Sequence, residues 1–89
     1  MRGRAVLNRD GILISGISTH HRAQEIMLSI RDIVESRARS IVMFLEGSPG
    51  PFGEGICLKI YIKGDPLNIN EVRALAKYLS IAGFDTQYY

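Results

Sequence analysis

Residues 56–63, ICLKIYIK, alternate without a break: Ile56, Leu58, Ile60 and Ile62 on one side, Cys57, Lys59, Tyr61 and Lys63 on the other. In an extended chain this puts four large aliphatic side chains on one face of a strand. Such a strand needs a cover on that face. Two segments have the period to supply it. Within 20–38, Ala23, Ile26, Met27, Ile30, Ile33 and Val34 recur at helical spacing, with Arg22, Glu25, Ser29, Asp32 and Glu35 opposite and Leu28 pointing away from the stripe. Within 69–82, Ile69, Val72, Leu75, Ala76 and Leu79 form a second stripe. A one-sided sheet with two amphipathic helices predicts a two-layer α+β sandwich.

Local signals place the other elements. Asn8-Arg9-Asp10-Gly11 separates the apolar runs 5–8 and 12–17 and reads as a hairpin turn, with Asn8 opening a type I turn and Gly11 at positive φ. Ser18 or Thr19 caps the first helix, and Glu35 and Arg39 have the favourable i, i+4 order at its end. Strand 41–46, IVMFLE, leads through the loop 47–55 into strand 56–63. Asn68 and Glu71 have capping-box spacing. Gly83 is placed to close the second helix, before a last strand over 84–89.

The order is then β-β-α-β-β-α-β. Without its first strand it is the ferredoxin-like βαββαβ order, which leads us to expect strands 12–17 and 56–63 side by side and parallel at the centre. The N-terminal hairpin takes the free edge of strand 12–17, so the last strand must pair with strand 5–8 or with another subunit. The stretch Asn8 to Ile14, NRDGILI, resembles the hairpin of roadblock domains. That resemblance implies a five-stranded antiparallel sheet of roadblock or profilin type as the alternative, although the chain lacks that family's leading helix and one strand.

Composition narrows the class. With 89 residues there is room for one core, so 1–89 is read as a single domain. One cysteine, Cys57, excludes a disulfide within the chain. No apolar run approaches the ~20 residues of a membrane span, and the N-terminus has no signal-peptide pattern. A cytoplasmic protein with no membrane association is expected. The net charge is +2, with an arginine excess in residues 1–40.

Motifs for chemistry are weak. His20-His21 are adjacent on a helix, which points them about 100° apart and makes a poor chelate. Asp65, Asn68, Asn70 and Glu71 lack calcium-loop order, and the cap explains two of them. Cys57 lies inside a strand, far in sequence from either histidine. No nucleophilic or paired-carboxylate constellation is recognisable, so no enzyme activity, metal or cofactor is expected. The loop 47–55 is rich in glycine and proline. Its Gly50, Phe52 and Gly53 are candidates for partner or ligand contact, but the prolines remove the backbone donors that a phosphate cradle needs.

The sheet face away from the helices is more apolar than a solvated face should be. Leu13, Ile17, Val42, Phe44 and Tyr61 are expected there, beside Cys57 and Lys59, with Tyr88 on the last strand as a further contact. The reading these residues support best is a small non-enzymatic binding or assembly module that forms a homo-oligomer through this face or an edge strand. Two alternatives remain. One is an RNA-binding module using the N-terminal arginines and Tyr61. The other is a small-ligand regulatory domain.

Overall fold

The computed structural model describes residues 3–34, 38–48 and 55–89. Its elements are β1 (Gly3–Asn8), β2 (Gly11–Ile17), α1 (His20–Ile33), β3 (Arg39–Ser48), β4 (Gly55–Gly64), α2 (Ile69–Ile81) and β5 (Phe84–Tyr88). The strands form one mixed sheet in the order β3-β4-β2-β1-β5, with both helices on one face. The α+β class is as expected. The ferredoxin-like order is not reproduced, because β1 stands between β2 and β5. Nor is the sheet wholly antiparallel, since β1 and β5 run parallel.

The central pair corrects the expectation. β2 and β4 are antiparallel, Ile12 opposite Ile60 and Ile14 opposite Leu58. Connectivity explains this. The crossover through α1 makes β3 parallel to β2, and β4 returns antiparallel to β3 and slots between them. The last strand finds its partner within the chain: β5 pairs with β1 from Gly3–Phe84 to Leu7–Tyr88.

The β1–β2 hairpin forms with a two-residue turn, but Gly11 is the first residue of β2 and does not take positive φ. Neither Arg9 nor Asp10 does so either, and the turn is held from outside. The Asp10 N–H donates to Asn8 Oδ1 at 2.8 Å. The carbonyls of Asp10 and Arg9 accept from the Ile62 and Leu67 N–H groups, each at 2.9 Å. Arg9 Nε donates to the Leu67 carbonyl at 3.0 Å.

Helix α1 begins as its cap predicts, with Thr19 Oγ1 accepting from the Arg22 N–H at 3.1 Å. It ends at Ile33, well short of residue 38. Val34 is already extended and buried in the core, so a β-branched side chain keeps its burial while leaving the helix. Helix α2 has the full capping box between Asn68 and Glu71. Gly83 follows it at φ 100°, and Phe84 is buried next to it. The core gathers Ala5, Leu7, Ile12, Ile14, Ile17, Ile56, Leu58, Ile60 and Ile62 from the sheet, against Ala23, Ile26, Ile30, Val72, Leu75 and Leu79 from the helices. Each fully buried aliphatic side chain contributes about 1.5–3 kcal/mol.

Two placements depart from the sequence pattern. Ile17, expected on the open face, is 1% exposed in the core. Pairing of β2 with β4 slips between Ile14 and Ile17, where Gly16 takes φ 77°. The slip inserts a residue and turns Ile17 to the helix side. Arg39, expected at i, i+4 from Glu35 at the end of the first helix, instead opens β3. Its Nη1 lies 2.6 Å from Glu71 Oε2 with both side chains buried. Its Nε and Nη2 donate to the carbonyls of Asp65 and Pro66 at 2.9 and 2.8 Å.

Two stability predictions follow from these placements, both read by urea denaturation. Ile17→Ala costs about 2–5 kcal/mol, as for a core cavity, whereas Leu13→Ala costs under about 1 kcal/mol. Equal small costs would put Ile17 on the surface. Arg39→Ala leaves the Glu71 carboxylate buried without its cation and costs about 3–5 kcal/mol. A loss below about 1 kcal/mol would mean that the pair is not buried in solution.

Candidate functional site

The sheet register sets the open face in rows. One row crosses the whole sheet: Phe44, Lys59, Leu13, Val6 and Gln87 lie opposite one another from β3 to β5. The next row is Val42, Tyr61, Gly11 and Asn8. Among the described residues no helix lies over this side. Phe44 is 50%, Tyr61 49% and Leu13 42% exposed, and Val42 is half-buried. The rings of Phe44 and Tyr61 meet edge to face, centroids 5.8 Å apart at 70°, a favoured aromatic geometry. Gly11 leaves a shallow depression of about 200 Å³ beside Leu13, Lys59 and Tyr61. A methyl group at Gly11 would fall 2.7 Å from the Ile60 carbonyl oxygen, so strand packing requires glycine there.

This face holds an ion pair beside Phe44, and Lys63 and Arg4 also lie on it. Lys59 Nζ lies 3.0 Å from Glu46 Oε2. The hydrogen bond and negative charge of Glu46 raise the Lys59 ammonium above its ordinary value. Burial pushes the neighbouring Cys57 thiol up, while the Lys59 charge pulls it down and Glu46 pushes it up.

The structure thus brings together Leu13, Val42, Phe44 and Tyr61 of the expected interface. It does not bring Ile17 there. Tyr88 lies opposite Leu7, on the helix side of edge strand β5, and is exposed. Gly50, Phe52 and Gly53 fall outside the described residues. His20 opens α1, and His21 Nε2 lies 2.9 Å from Glu25 Oε1. Among the described residues no three His, Cys, Asp or Glu side chains cluster as metal ligands. Asn68 and Glu71 serve the cap and Arg39, and among the described residues no helix is long and apolar enough to cross a membrane. Three arginines of the basic half are engaged within the fold. Arg9 and Arg39 hold the loop before α2, and Arg22 Nη2 donates to the Ala82 carbonyl at 2.8 Å. No buried side-chain nitrogen or oxygen among the described residues lacks a hydrogen-bond partner.

A second exposed element lies at the sheet edge. α1 packs on β2 and β4, and α2 on β1 and β5, but neither helix packs substantially on β3. On the helix side Ile41 and Met43 are therefore only half-buried, and Leu45 is exposed. Comparison of the chain with protein-family models, curated proteins and solved structures gives no match.

Cys57 reports on this face. The thiolate is the reactive form, so a raised pKa lowers its fraction at neutral pH. Alkylation by iodoacetamide is expected to rise only at higher pH than for a free thiol. Lys59→Met should move that profile further alkaline and Glu46→Gln toward acid. Unmoved profiles in both variants would contradict the described arrangement of the three groups.

Proposed function

We propose that the chain is a non-catalytic assembly module that associates with copies of itself through the uncovered side of its sheet, its edge strand included. The observation that carries this is the continuity of exposed apolar surface from Leu13 through Tyr61 and Phe44 to β3. A solvated sheet face turns polar residues to water. This one presents two aromatic rings and a leucine, with its nearest lysine already neutralised by Glu46. A contiguous patch of this kind marks an interaction surface. The same surface holds little that would direct a reaction: its only thiol is held in the less reactive form, and its histidines are elsewhere in the fold.

Light scattering at high micromolar concentration tests the proposal. A species larger than the 9.9 kDa monomer is expected, and a monomer overturns it. Phe44→Lys should shift the protein to monomer and leave its helical circular dichroism unchanged, because Phe44 lies outside the core.

A further inference from the structure

Resting on that self-association, we propose that the contact is made by β3. In this arrangement β3 of one copy pairs antiparallel with β3 of a second copy about a two-fold axis at Met43. Two five-stranded sheets then join into one continuous sheet.

Three observations converge on this strand. The first is its free edge. β3 is the outermost strand and ten residues long, against five for β5 at the other edge. Its ladder with β4 runs from Arg39 to Ser48 without a register shift. Alternate N–H and C=O groups along its outer side face no strand among the described residues. Prolines, charged side chains and breaks in pairing are the usual devices that stop an edge from pairing; β3 has no proline and no break in its pairing with β4, and its charged residues Arg39 and Glu46 stand outside the run 41–45. The second is the missing cover. Both sides of β3 are apolar, yet the helix layer stops at β4. A strand added at this edge would bring new side chains beside Ile41, Met43 and Leu45 on one side and Val42 and Phe44 on the other.

The third observation identifies the occupant as a second copy. The apolar run Ile41-Val42-Met43-Phe44-Leu45 is flanked by Ser40 and Glu46, so its polarity is symmetric about Met43. Directly opposite residues of an antiparallel pair share a face. Centred on Met43, the two copies place Met43 opposite Met43, Val42 opposite Phe44 and Ile41 opposite Leu45, with Ser40 opposite Glu46. Every apolar residue meets an apolar residue. Centred on Val42, the pairing sets Ser40 against Phe44 and Arg39 against Leu45. Centred on Phe44, it sets Glu46 against Val42. A two-fold contact of this kind is closed and self-complementary, as a homodimer requires. It keeps the helices of both copies on the same side of the sheet.

Cysteine cross-linking in a Cys57→Ser background tests the register. Opposite residues of an antiparallel pair lie about 4.5–5.5 Å apart at Cα, within disulfide reach. Four residues along a strand is about 13 Å, beyond it. Under mild oxidation Met43→Cys should form a covalent dimer, and Ile41→Cys mixed with Leu45→Cys should form a mixed dimer. Ile41→Cys alone and Leu45→Cys alone should not. Tyr61→Lys, which charges the open face away from the edge, should leave the dimer intact by light scattering. If the protein is dimeric but Met43→Cys stays uncoupled and Tyr61→Lys yields a monomer, the copies meet through the open face. The β3 inference is then overturned while the assembly reading stands. A wild-type monomer at high micromolar concentration overturns both.

Discussion

The ion pair between Arg39 and Glu71 fixes the corner on which the edge of this sheet depends. Arg39 is the first residue of β3, and it follows Ala38, which sits at φ 56° in the left-handed region that side chains with a Cβ disfavour. The guanidinium uses its fork to hold two carbonyls of the loop before α2 and the Glu71 carboxylate. The other oxygen of Glu71 accepts the Asn68 N–H at 3.0 Å and closes the cap of α2. One carboxylate thereby sets the start of a helix and the start of a strand 32 residues earlier. Burying both charges costs desolvation, which the Coulomb attraction and the added hydrogen bonds offset. The return is positional. The start of α2 and the line of β3 along β4 share one anchor.

From that anchor the exposed surface follows. β3 is held at one end by Arg39 and along its length by β4, but no helix rests substantially on it. Among the described residues the helix layer is two helices wide and the sheet is five strands wide. Helices packed side by side sit about 8–10 Å apart and strands about 4.8 Å, so two helices span roughly four strands. The layer here covers β5 through β4 and leaves β3 over. Its half-buried Ile41 and Met43 are thus a consequence of counting layers, and the apolar open face adds Phe44 and Tyr61 beside them.

Much of the fold was legible where the signal is local. The alternation in 56–63, the two helical stripes, the hairpin at Asn8 to Gly11 and the cap at Asn68 each name their element within a few residues. What escaped is nonlocal or depends on a single insertion. Parity puts Ile17 on the open face with Leu13, and the slip at Gly16 reverses it. A lone glycine inside a strand pattern is the signal that could have warned of this. Pairing direction at the centre follows from connectivity, which periodicity does not encode. The i, i+4 spacing of Glu35 and Arg39 fits a helix, but α1 ends at Ile33 and Arg39 belongs to β3. A sharper signal lay in α2: Glu71 stands at i−4 from Leu75 and i−8 from Leu79, on the buried stripe, so its carboxylate required a cation from elsewhere. For the candidate site, Leu13, Val42, Phe44 and Tyr61 were legible because alternation puts them on one face. The role of Met43 was not, since it depends on how far the helices reach.

The central claim is that the free edge of β3 is a pairing edge. Amide hydrogen exchange measured residue by residue at low and high protein concentration tests it most directly. Within 41–45, amides already bonded to β4 are slow at either concentration, whereas those directed outward face no strand among the described residues of a lone chain. The account predicts that the outward amides become protected as concentration rises, in alternation along the strand, while β5 amides do not change. Assembly with no gain of protection along β3 would contradict it.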